Sequence, residues 1–416
     1  MYNEDLFNRN ITSDEVGLLQ IEVFGDNEAV PINNATIEVM DSNSSKILMQ
    51  LNTNEIGKTK TISLPAPPLL YSMEQEKGRP FNTYNLIINK DGFEPTYIHN
   101  AQIFPLVKAI QKVFLTPFMK PQEIVIEDPV LWGNFPPKLI EESIKPLTNF
   151  QGFIVLPEVV IPEFIVVHNG IPNSNAINYK VPFKDYIKNV ASCEIYSTWP
   201  RETIRANVLA IISFTLNRVY TEWYRSKGFD FTITNSTAYD QAYNHGRTTY
   251  NEINEVVDEV FTKYVTKPNI KQPLLTQYCD GKKSTCPNHM TQWGSKALGD
   301  QGYVAERILK YYYGNDIYLD TAKKVKGIPY SFNKSLLVGS SGGDVRTIQE
   351  QLNAISNNYP LIPKLKVNGT YDDETKTSVE IFQEVFELPI TGVVNSATWY
   401  KISQIFVAVT KMTNPN

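Results

Sequence analysis

The sequence contains few of the residues on which several protein classes depend. Three cysteines and four histidines in 416 residues are too few for a framework of disulfides. No long run of Lys and Arg is present, so the chain lacks the basic patch with which nucleic-acid binders neutralise phosphates. No apolar run reaches the roughly 20 residues of a membrane-spanning helix. We therefore expect no nucleic-acid partner and no membrane span.

The chain is long and of ordinary globular composition. It has 42% hydrophobic and 20% charged residues and a formal net charge of −5, which favours folded domains over disorder. Its length exceeds what one hydrophobic core holds, so several domains are expected. The first residues, MYNEDLFNRN, lack the basic start and apolar core of a secretory signal. This predicts synthesis without a signal peptide.

Residue patterns divide the chain into four segments and predict a multidomain α+β protein. Residues 1–115 contain alternating runs such as Leu19, Ile21 and Val23, which predict an N-terminal β-sandwich. Residues 116–150 are rich in proline, which blocks helix interiors and central strands. They predict an exposed linker and a region where proteases process the chain. Residues 151–330 carry helical stripes and predict a mainly helical α+β domain.

The last segment, residues 331–416, predicts three short amphipathic helices. Their start signals are Asp344, Asp372 and Ser396, because these side chains accept hydrogen bonds from the free N–H groups of a first helical turn. The stretches GSSGGDVRTIQEQL, VNGTYDDETKTSVEIFQ and LPITGVVNSATWYKI resemble the peptidoglycan-binding domain type 1 family. The resemblance implies a three-helix domain that binds cell-wall glycan. The alternative is a helical appendage that binds nothing.

Two stretches of the central segment carry a second resemblance. VPFKDYIKNVASCEIYSTWPRETIRANVLA and HMTQWGSKALGDQGYVAERILKYYYGNDI resemble the two signatures of the stage II sporulation protein D family, in the same order. The N-terminal segment loosely resembles transthyretin-like domains. Taken together, the arrangement resembles the spore cortex-lytic enzymes. This implies a lytic transglycosylase that acts on cortex peptidoglycan during germination, lies in the spore cortex or coat region, and is activated from a proenzyme by a subtilisin-like germination protease.

Glu194 is the position that matches the family's catalytic glutamate. A lytic transglycosylase leaves a 1,6-anhydro end because the sugar's own C6 hydroxyl is the nucleophile, so one carboxyl group serves as acid and then as base. A hydrolase normally needs two carboxyl groups. Apolar neighbours such as Tyr196 and Trp199 favour the protonated acid. For Glu194 the alternative is a surface or capping role. Glu202 is expected to stabilise the first turn of the next helix.

Gln292, Trp293 and Gly294 match the second signature. One interpretation is sugar contact, with the amide binding hydroxyls and the indole stacking on a ring, together with Tyr196 and Trp199. The other is a core turn with a buried tryptophan. The arginine that the family usually carries in the helix after Glu202 is missing here, which leaves Arg205 and Arg218 as the nearest stand-ins.

No cofactor is expected, with zinc as the minor alternative. Cys279, Cys286 and His289 lie within eleven residues, but a structural zinc site needs four ligands. A Cys279–Cys286 disulfide or free thiols are the competing interpretations. Two other functions stay open. An N-acetylmuramoyl-L-alanine amidase would need several metal-binding histidines, and a cell-wall-binding protein would use the central domain as a scaffold only.

Overall fold

The computed structural model describes residues 15–25, 28–44, 46–117, 120–145, 156–329 and 332–413. The N-terminal stretch, on which the expectation about export rests, lies outside the described residues. The end of the proline-rich segment lies outside them as well.

The N-terminal region consists of two β-sheets with a common core. One sheet has the order β13-β7-β1-β4 and the other the order β3-β2-β5-β6-β8. The alternating residues Leu19, Ile21 and Val23 are fully buried between them, as their period of two requires. The elements are β1 (Glu15–Phe24), β2 (Thr36–Asp41), β3 (Ile47–Asn52), β4 (Ile62–Ala66), α1 (Leu70–Met73), β5 (Asn82–Asn89), β6 (Thr96–Ile103), β7 (Lys108–Phe114) and β8 (Gln122–Val125).

The central region is organised around one buried helix, α3. Most of its residues are buried, including the polar Asn207, Asn217 and Arg218, which is typical of a helix inside a core rather than on its surface. Helices α2, α4, α5 and α6 pack against it. The elements are β9 (Val160–Ile161), β10 (Phe164–His168), β11 (Asn178–Pro182), α2 (Phe183–Glu194), α3 (Arg201–Tyr220), β12 (Ile233–Thr234), β13 (Thr249–Tyr250), α4 (Asn251–Val260), β14 (Lys263–Thr266), β15 (Tyr278–Cys279), β16 (Met290–Thr291), α5 (Gln292–Asp300), α6 (Ala305–Tyr313), β17 (Tyr318–Thr321) and β18 (Lys324–Val325).

The N-terminal and central regions share a sheet. Strand β13 of the central region pairs antiparallel with β7. Beside it, the buried Arg247 guanidinium donates to the Gln102 side chain at 2.9 Å, and Thr248 Oγ1 lies 2.7 Å from Gln111 Oε1. Buried polar groups of the two regions therefore satisfy one another across this junction.

The described part of the proline-rich segment is docked on the protein, although many of its side chains stay exposed. Residues 122–125 form β8, which adds to β6 in parallel. Residues 130–145 then cross the central region in an extended path, and we call them the strap. Strap residues Val130 and Leu139 donate backbone hydrogen bonds to Cys193 and Ala238. Proline excluded helix and central strand here as expected, but an extended chain docked on a surface satisfies the same restriction.

The C-terminal region contains α7 (Gly343–Ile355), α8 (Asp373–Val385) and α9 (Ser396–Thr413). Asp372 caps α8 as expected, because its carboxylate accepts from Thr375 N–H at 2.9 Å. The other two start signals were displaced by a residue or two. Gly342, with a φ of 119°, precedes α7, and the Asn395 side chain accepts from Thr398 N–H before α9. In the part of the chain that the structure describes, no helix is long and apolar enough to cross a bilayer.

The C-terminal region docks on the N-terminal one through buried ion pairs. Glu28 is paired with Lys112 of its own region and with Lys401 of α9, the latter at 2.6 Å. Glu387, which follows α8, pairs with Lys58 at 3.2 Å and Lys108 at 2.8 Å.

Candidate active site

Glu194 is the last residue of α2. Its neighbour Ile195 is extended, with φ −132° and ψ 164°, and the Trp199-Pro200 step follows. A residue before proline is driven away from helical conformation, so the chain breaks here and α3 begins at Arg201. The break leaves the Glu194 side chain at the end of a helix, turned into the protein, with 2% of the residue exposed.

The Glu194 carboxyl group is held by two donors, one on each oxygen. The Ala242 backbone N–H donates to Oε1 at 2.9 Å, and the Gln292 side-chain amide donates to Oε2 at 2.9 Å. The nearby Tyr278 hydroxyl accepts from the Gln241 side chain at 3.0 Å. The two donors fix the carboxyl group in one orientation, which is what proton transfer at a defined atom requires.

Burial raises the pKa of Glu194 above its ordinary value. The nearby Lys138 ammonium and the hydrogen bonds from Ala242 and Gln292 act in the opposite direction, because they stabilise the charged form. Desolvation outweighs them. A carboxyl group with a raised pKa keeps its proton closer to neutral pH than an exposed glutamate does, which suits a general acid.

The second signature places its residues around this carboxyl group. Gln292 begins α5 and is fully buried, and it contacts Glu194 through both the carboxyl group and the backbone carbonyl. Gly294 is required by space, since a Cβ there would lie 2.2 Å from both Thr291 Oγ1 and the Tyr312 hydroxyl. Gln292 is therefore positioned to orient Glu194, and Gly294 to allow close packing behind it.

Tyr196, Trp199 and Trp293 form an aromatic cluster next to the site. The Trp199 and Trp293 rings lie 5.0 Å apart and the Tyr196 and Trp293 rings 6.2 Å apart. Tyr196 and Trp199 are buried, and Trp199 Nε1 donates to the Ser72 carbonyl in α1 of the N-terminal region at 2.9 Å. Trp293 is half-buried. Tyr196 and Trp199 therefore contact the N-terminal region rather than an open cleft.

A cavity of about 40 Å³ contains the Glu194 carboxyl group. A volume of this size holds a few waters at most, and not a sugar ring. The strap forms one wall through Val130, Gly133, Phe135, Pro136 and Lys138. Lys283 fastens the strap, because its ammonium donates to the Trp132 and Gly133 carbonyls at 2.6 Å each. The strap thus forms part of the wall of the site and narrows it.

Cys279 and Cys286 form a disulfide, which closes a loop at the rim of the same cavity. We call residues 279–286 the disulfide loop. Zinc binding by Cys279, Cys286 and His289 would need both cysteines as thiolates, whereas here their sulfur atoms are bonded to each other. Among the described residues, no group of three His, Cys, Asp or Glu side chains is arranged to hold a metal ion. Cys193 is a free, buried thiol.

Asp280, in the disulfide loop, is the other carboxylate that lines the cavity. Its oxygens accept from Ser284 N–H and Oγ and from Lys283 N–H, at 2.7 to 2.9 Å. Burial alone would raise the pKa of Asp280, but these hydrogen bonds outweigh it and lower the pKa. Asp280 is thus engaged in holding the loop, whereas Glu194 carries the raised pKa.

The remaining charged candidates have other partners. Glu202 lies in the first turn of α3 as expected, and its Oε2 also accepts from Ala305 N–H at 2.7 Å, so it caps α6. Arg205 pairs with Glu259 at 2.5 Å on the surface. Arg218 is fully buried and pairs with Asp240 at 2.7 Å and with Glu141 of the strap at 2.5 Å.

Lys138, Tyr278 and Ala242 were not found by sequence reasoning. Each is far from Glu194 in the chain, and none belongs to either signature. Tyr278 follows a proline-containing stretch, and Ala242 contributes only its backbone. No local pattern in the sequence marks a group that acts through its peptide N–H, so this part of the site depends on the fold.

Two parts of the chain match family models. Residues 173–266, which include Glu194, match a model described as stage II sporulation protein. Residues 341–402 match a model of a peptidoglycan binding domain. No curated protein matches the chain. Gln292 lies beyond the first match, so its assignment rests on the geometry around Glu194.

Solved structures show limited similarity. The SleB N-terminal domain is 28% identical, with 18% of this chain and 96% of that chain covered and a TM-score of 0.16. The Bacillus anthracis TIE protein is 15% identical, with 25% and 17% covered and a TM-score of 0.17. The 3-chlorocatechol 1,2-dioxygenase from Rhodococcus opacus is 15% identical, with 26% and 62% covered and a TM-score of 0.18. Scores this low establish no shared fold. The two family matches together support a sporulation protein of the cell wall that carries a peptidoglycan-binding domain.

Proposed function

We propose that this protein is a lytic transglycosylase of spore cortex peptidoglycan, with an overall arrangement similar to that of the spore cortex-lytic enzyme SleC. It would cut between N-acetylmuramic acid and N-acetylglucosamine during germination and leave 1,6-anhydromuramic ends. The C-terminal region would hold it on the cortex peptidoglycan, its substrate and partner. The site of action would be the spore cortex or coat region.

The observation that carries the proposal is the environment of Glu194. It is a buried carboxyl group with a raised pKa, oriented by Ala242 and Gln292, in a cavity whose other carboxylate, Asp280, is occupied by loop hydrogen bonds. A transglycosylase needs one such group. A hydrolase would need a second carboxyl group free to activate water or attack the sugar.

Glu194 can carry out both proton transfers of this reaction without a second carboxyl group. The protonated carboxyl group donates its proton to the glycosidic oxygen as the bond to C1 breaks. The C6 hydroxyl oxygen of the muramic residue forms a new bond to C1, and its proton passes to the Glu194 carboxylate, which is then ready for the next turnover. No water is consumed. Ala242 and Gln292 hold the carboxyl group through both transfers.

The small size of the cavity supports synthesis as a proenzyme. The strap and α1 cover the carboxyl group and the aromatic cluster, so substrate access requires their displacement. A subtilisin-like germination protease that cuts within the proline-rich segment would permit this. The end of that segment lies outside the described residues, so no cut site is assigned.

Product analysis of protease-matured protein on cortex tests the function. Mass spectrometry should find anhydromuramic ends with wild type, none with Glu194→Gln, and wild-type amounts with Glu202→Gln, which makes the same change at a capping residue. Reducing muramic ends would instead favour hydrolysis with Asp280 as partner, and freed amino groups would favour an amidase. Full activity of the Glu194→Gln variant would show that Glu194 is not the acid. A wild-type protein without activity would favour a protein that only binds the cell wall.

A further inference from the structure

The strap is bound in the manner of a ligand rather than of a core element. Leu131 at its start is buried in the core, but the apolar side chains Leu139 and Ile140 are 53% and 66% exposed, so hydrophobic packing does not hold the strap beyond its start. Residues 130–145 belong to no strand. The contacts come instead from its charged side chains and its backbone, and the groups that receive them are buried in the central region.

Two buried glutamine side chains bind the strap backbone. In each, the amide nitrogen donates one hydrogen bond and the amide oxygen accepts another. Gln277 donates to the Leu139 carbonyl at 2.7 Å and accepts from Glu141 N–H at 2.9 Å. Gln272 donates to the Lys145 carbonyl at 3.0 Å and accepts from Lys145 N–H at 3.1 Å. Both glutamines are nine-tenths buried or more. Each therefore recognises an N–H and a C=O together, which is the hydrogen-bonding pattern of an amide.

Between these amides, Arg218 binds the strap's carboxylate. Its two terminal nitrogens donate to the two oxygens of Glu141, at 3.1 Å and 2.5 Å, the paired geometry that suits a guanidinium and a carboxylate. Arg218 Nε is held separately by Asp240. The guanidinium is thus fixed in place, with two donors directed at whatever occupies the Glu141 position.

These groups lie further along the strap from the cavity of Glu194. Lys138, which lines that cavity, donates to the Asp240 carbonyl, and Asp240 holds Arg218. Lys138 and Glu141 are three residues apart, which is about 10 Å in an extended chain. A chain that runs along this path passes Glu194 first, then the carboxylate position at Arg218, and then Gln272.

Displacement of the strap would leave the donors of Arg218, Gln277 and Gln272 without their present partners. Water would then reach these groups, and a ligand that matches their donors and acceptors can replace that water, with a hydrogen bond to the charged Arg218 contributing about 1.5–3 kcal/mol. Peptidoglycan offers that chemistry, because its sugars carry N-acetyl amides and its muramic residues carry a lactyl arm that ends in a carboxylate or continues as a peptide.

We propose that Arg218, Gln277 and Gln272 form a subsite for the amide- and carboxylate-bearing side of peptidoglycan, and that the strap occupies it in the full-length chain as a substrate mimic. The carboxylate comes from the lactyl arm or from the attached peptide. The proposal rests on the function proposed above for its substrate class, but not on the chemistry at Glu194.

Hydrogen exchange of the full-length chain tests the subsite. Glu141→Gln should speed exchange of the Glu141 and Lys145 amides about tenfold, because it weakens a hydrogen bond to a charged group. Glu142→Gln, the same change at the exposed neighbour, should leave both rates unchanged. Glu141→Asp keeps the charge on a shorter side chain, should give an intermediate rate, and replaces Glu141→Gln if that variant fails to fold.

Soluble ligands added to the Glu141→Gln protein identify what the subsite binds. A disaccharide of N-acetylglucosamine and N-acetylmuramic acid with a free lactyl carboxylate, or one with a peptide, should speed exchange a further severalfold. Neutral di-N-acetylchitobiose should not. If only the disaccharide with the free lactyl carboxylate speeds exchange, the subsite binds the lactyl arm. If only the disaccharide with the peptide does so, the subsite binds the peptide.

Equal responses to charged and neutral sugars, or equal rates in Glu141→Gln and Glu142→Gln, would overturn the subsite. Exchange reports occupancy and not bond cleavage. A response to the charged sugars without anhydromuramic products would therefore preserve the subsite and reject the proposed reaction.

Discussion

Gln292 donates its side-chain amide to Glu194 at 2.9 Å, while its own Oε1 is buried without a hydrogen-bond partner among the described residues. The amide nitrogen also contacts the Glu194 backbone carbonyl at 3.1 Å. One side chain thus fixes the end of α2 and the orientation of its carboxyl group. A buried acceptor left open is costly, so Gln292 serves the position of Glu194 rather than the stability of the fold.

Replacement of Gln292 by methionine should lower kcat about tenfold, since it removes a hydrogen bond to a charged group, worth about 1.5–3 kcal/mol. That hydrogen bond lowers the pKa of Glu194, so its loss raises the pKa further. Because Glu194 acts first as an acid, the alkaline limb of the kcat–pH profile should move to higher pH.

The matched control is Gln301→Met, at the exposed C-terminal end of the same helix. It should change neither kcat nor the profile. A Gln292→Met profile that coincides with wild type would mean that Gln292 does not position the acid.

Glu202→Ala should cost about 1 kcal/mol of unfolding free energy and leave activity intact. Its carboxylate accepts from the first free N–H of α6, and loss of a helix cap typically costs this much. Urea unfolding measures the change. Glu306→Ala removes an exposed carboxylate from the first turn of the same helix and should cost only about 0.3 kcal/mol. Equal costs would show that the Glu202 hydrogen bond contributes nothing.

The sequence indicates Glu194 as the candidate acid because its signals are local. A helical stripe, a Trp-Pro break and a family signature all lie within a few residues. The docking of the proline-rich segment has no such local signal. Prolines disfavour helix interiors wherever they occur, but the surface on which the extended chain docks depends on Gln272 and Gln277, more than a hundred residues away.

Glu202 shows the same limit in a smaller way. Its place in a first helical turn follows from the sequence, whereas its contact with Ala305, 103 residues further along, follows only from how α3 and α6 pack. The short spacing of Cys279 and Cys286 likewise fitted a disulfide, free thiols or a metal pair. Three-dimensional geometry was needed to choose among them.

Thiol labelling tests the disulfide directly. In denaturant without reductant, alkylation followed by mass spectrometry should modify Cys193 alone, and reduction should expose all three cysteines. In the native protein Cys193 should react slowly, because it is buried and burial raises its pKa, which reduces the reactive thiolate. Labelling of Cys279 and Cys286 without reductant would contradict the closed loop.

Glu28→Gln should destabilise the docking of the C-terminal region by about 3 kcal/mol, because it leaves the buried Lys401 and the partly buried Lys112 ammonium groups without their charge partner. Urea unfolding at several pH values measures this. Glu55→Gln, an exposed carboxylate of the same region, is the matched control and should change little.

The difference between wild type and Glu28→Gln should depend on pH in one direction only. Burial alone would raise the pKa of Glu28, but the two lysines outweigh it and hold the pKa well below its ordinary value. A group with a lowered pKa in the folded state contributes fully above its unfolded pKa of about 4.3 and progressively less as the pH falls below it. The difference should therefore be constant from about pH 5 to 8 and shrink in acid. A difference that grows in acid would mean that Glu28 is not the ionised partner of both lysines, and that the C-terminal region is held by other contacts.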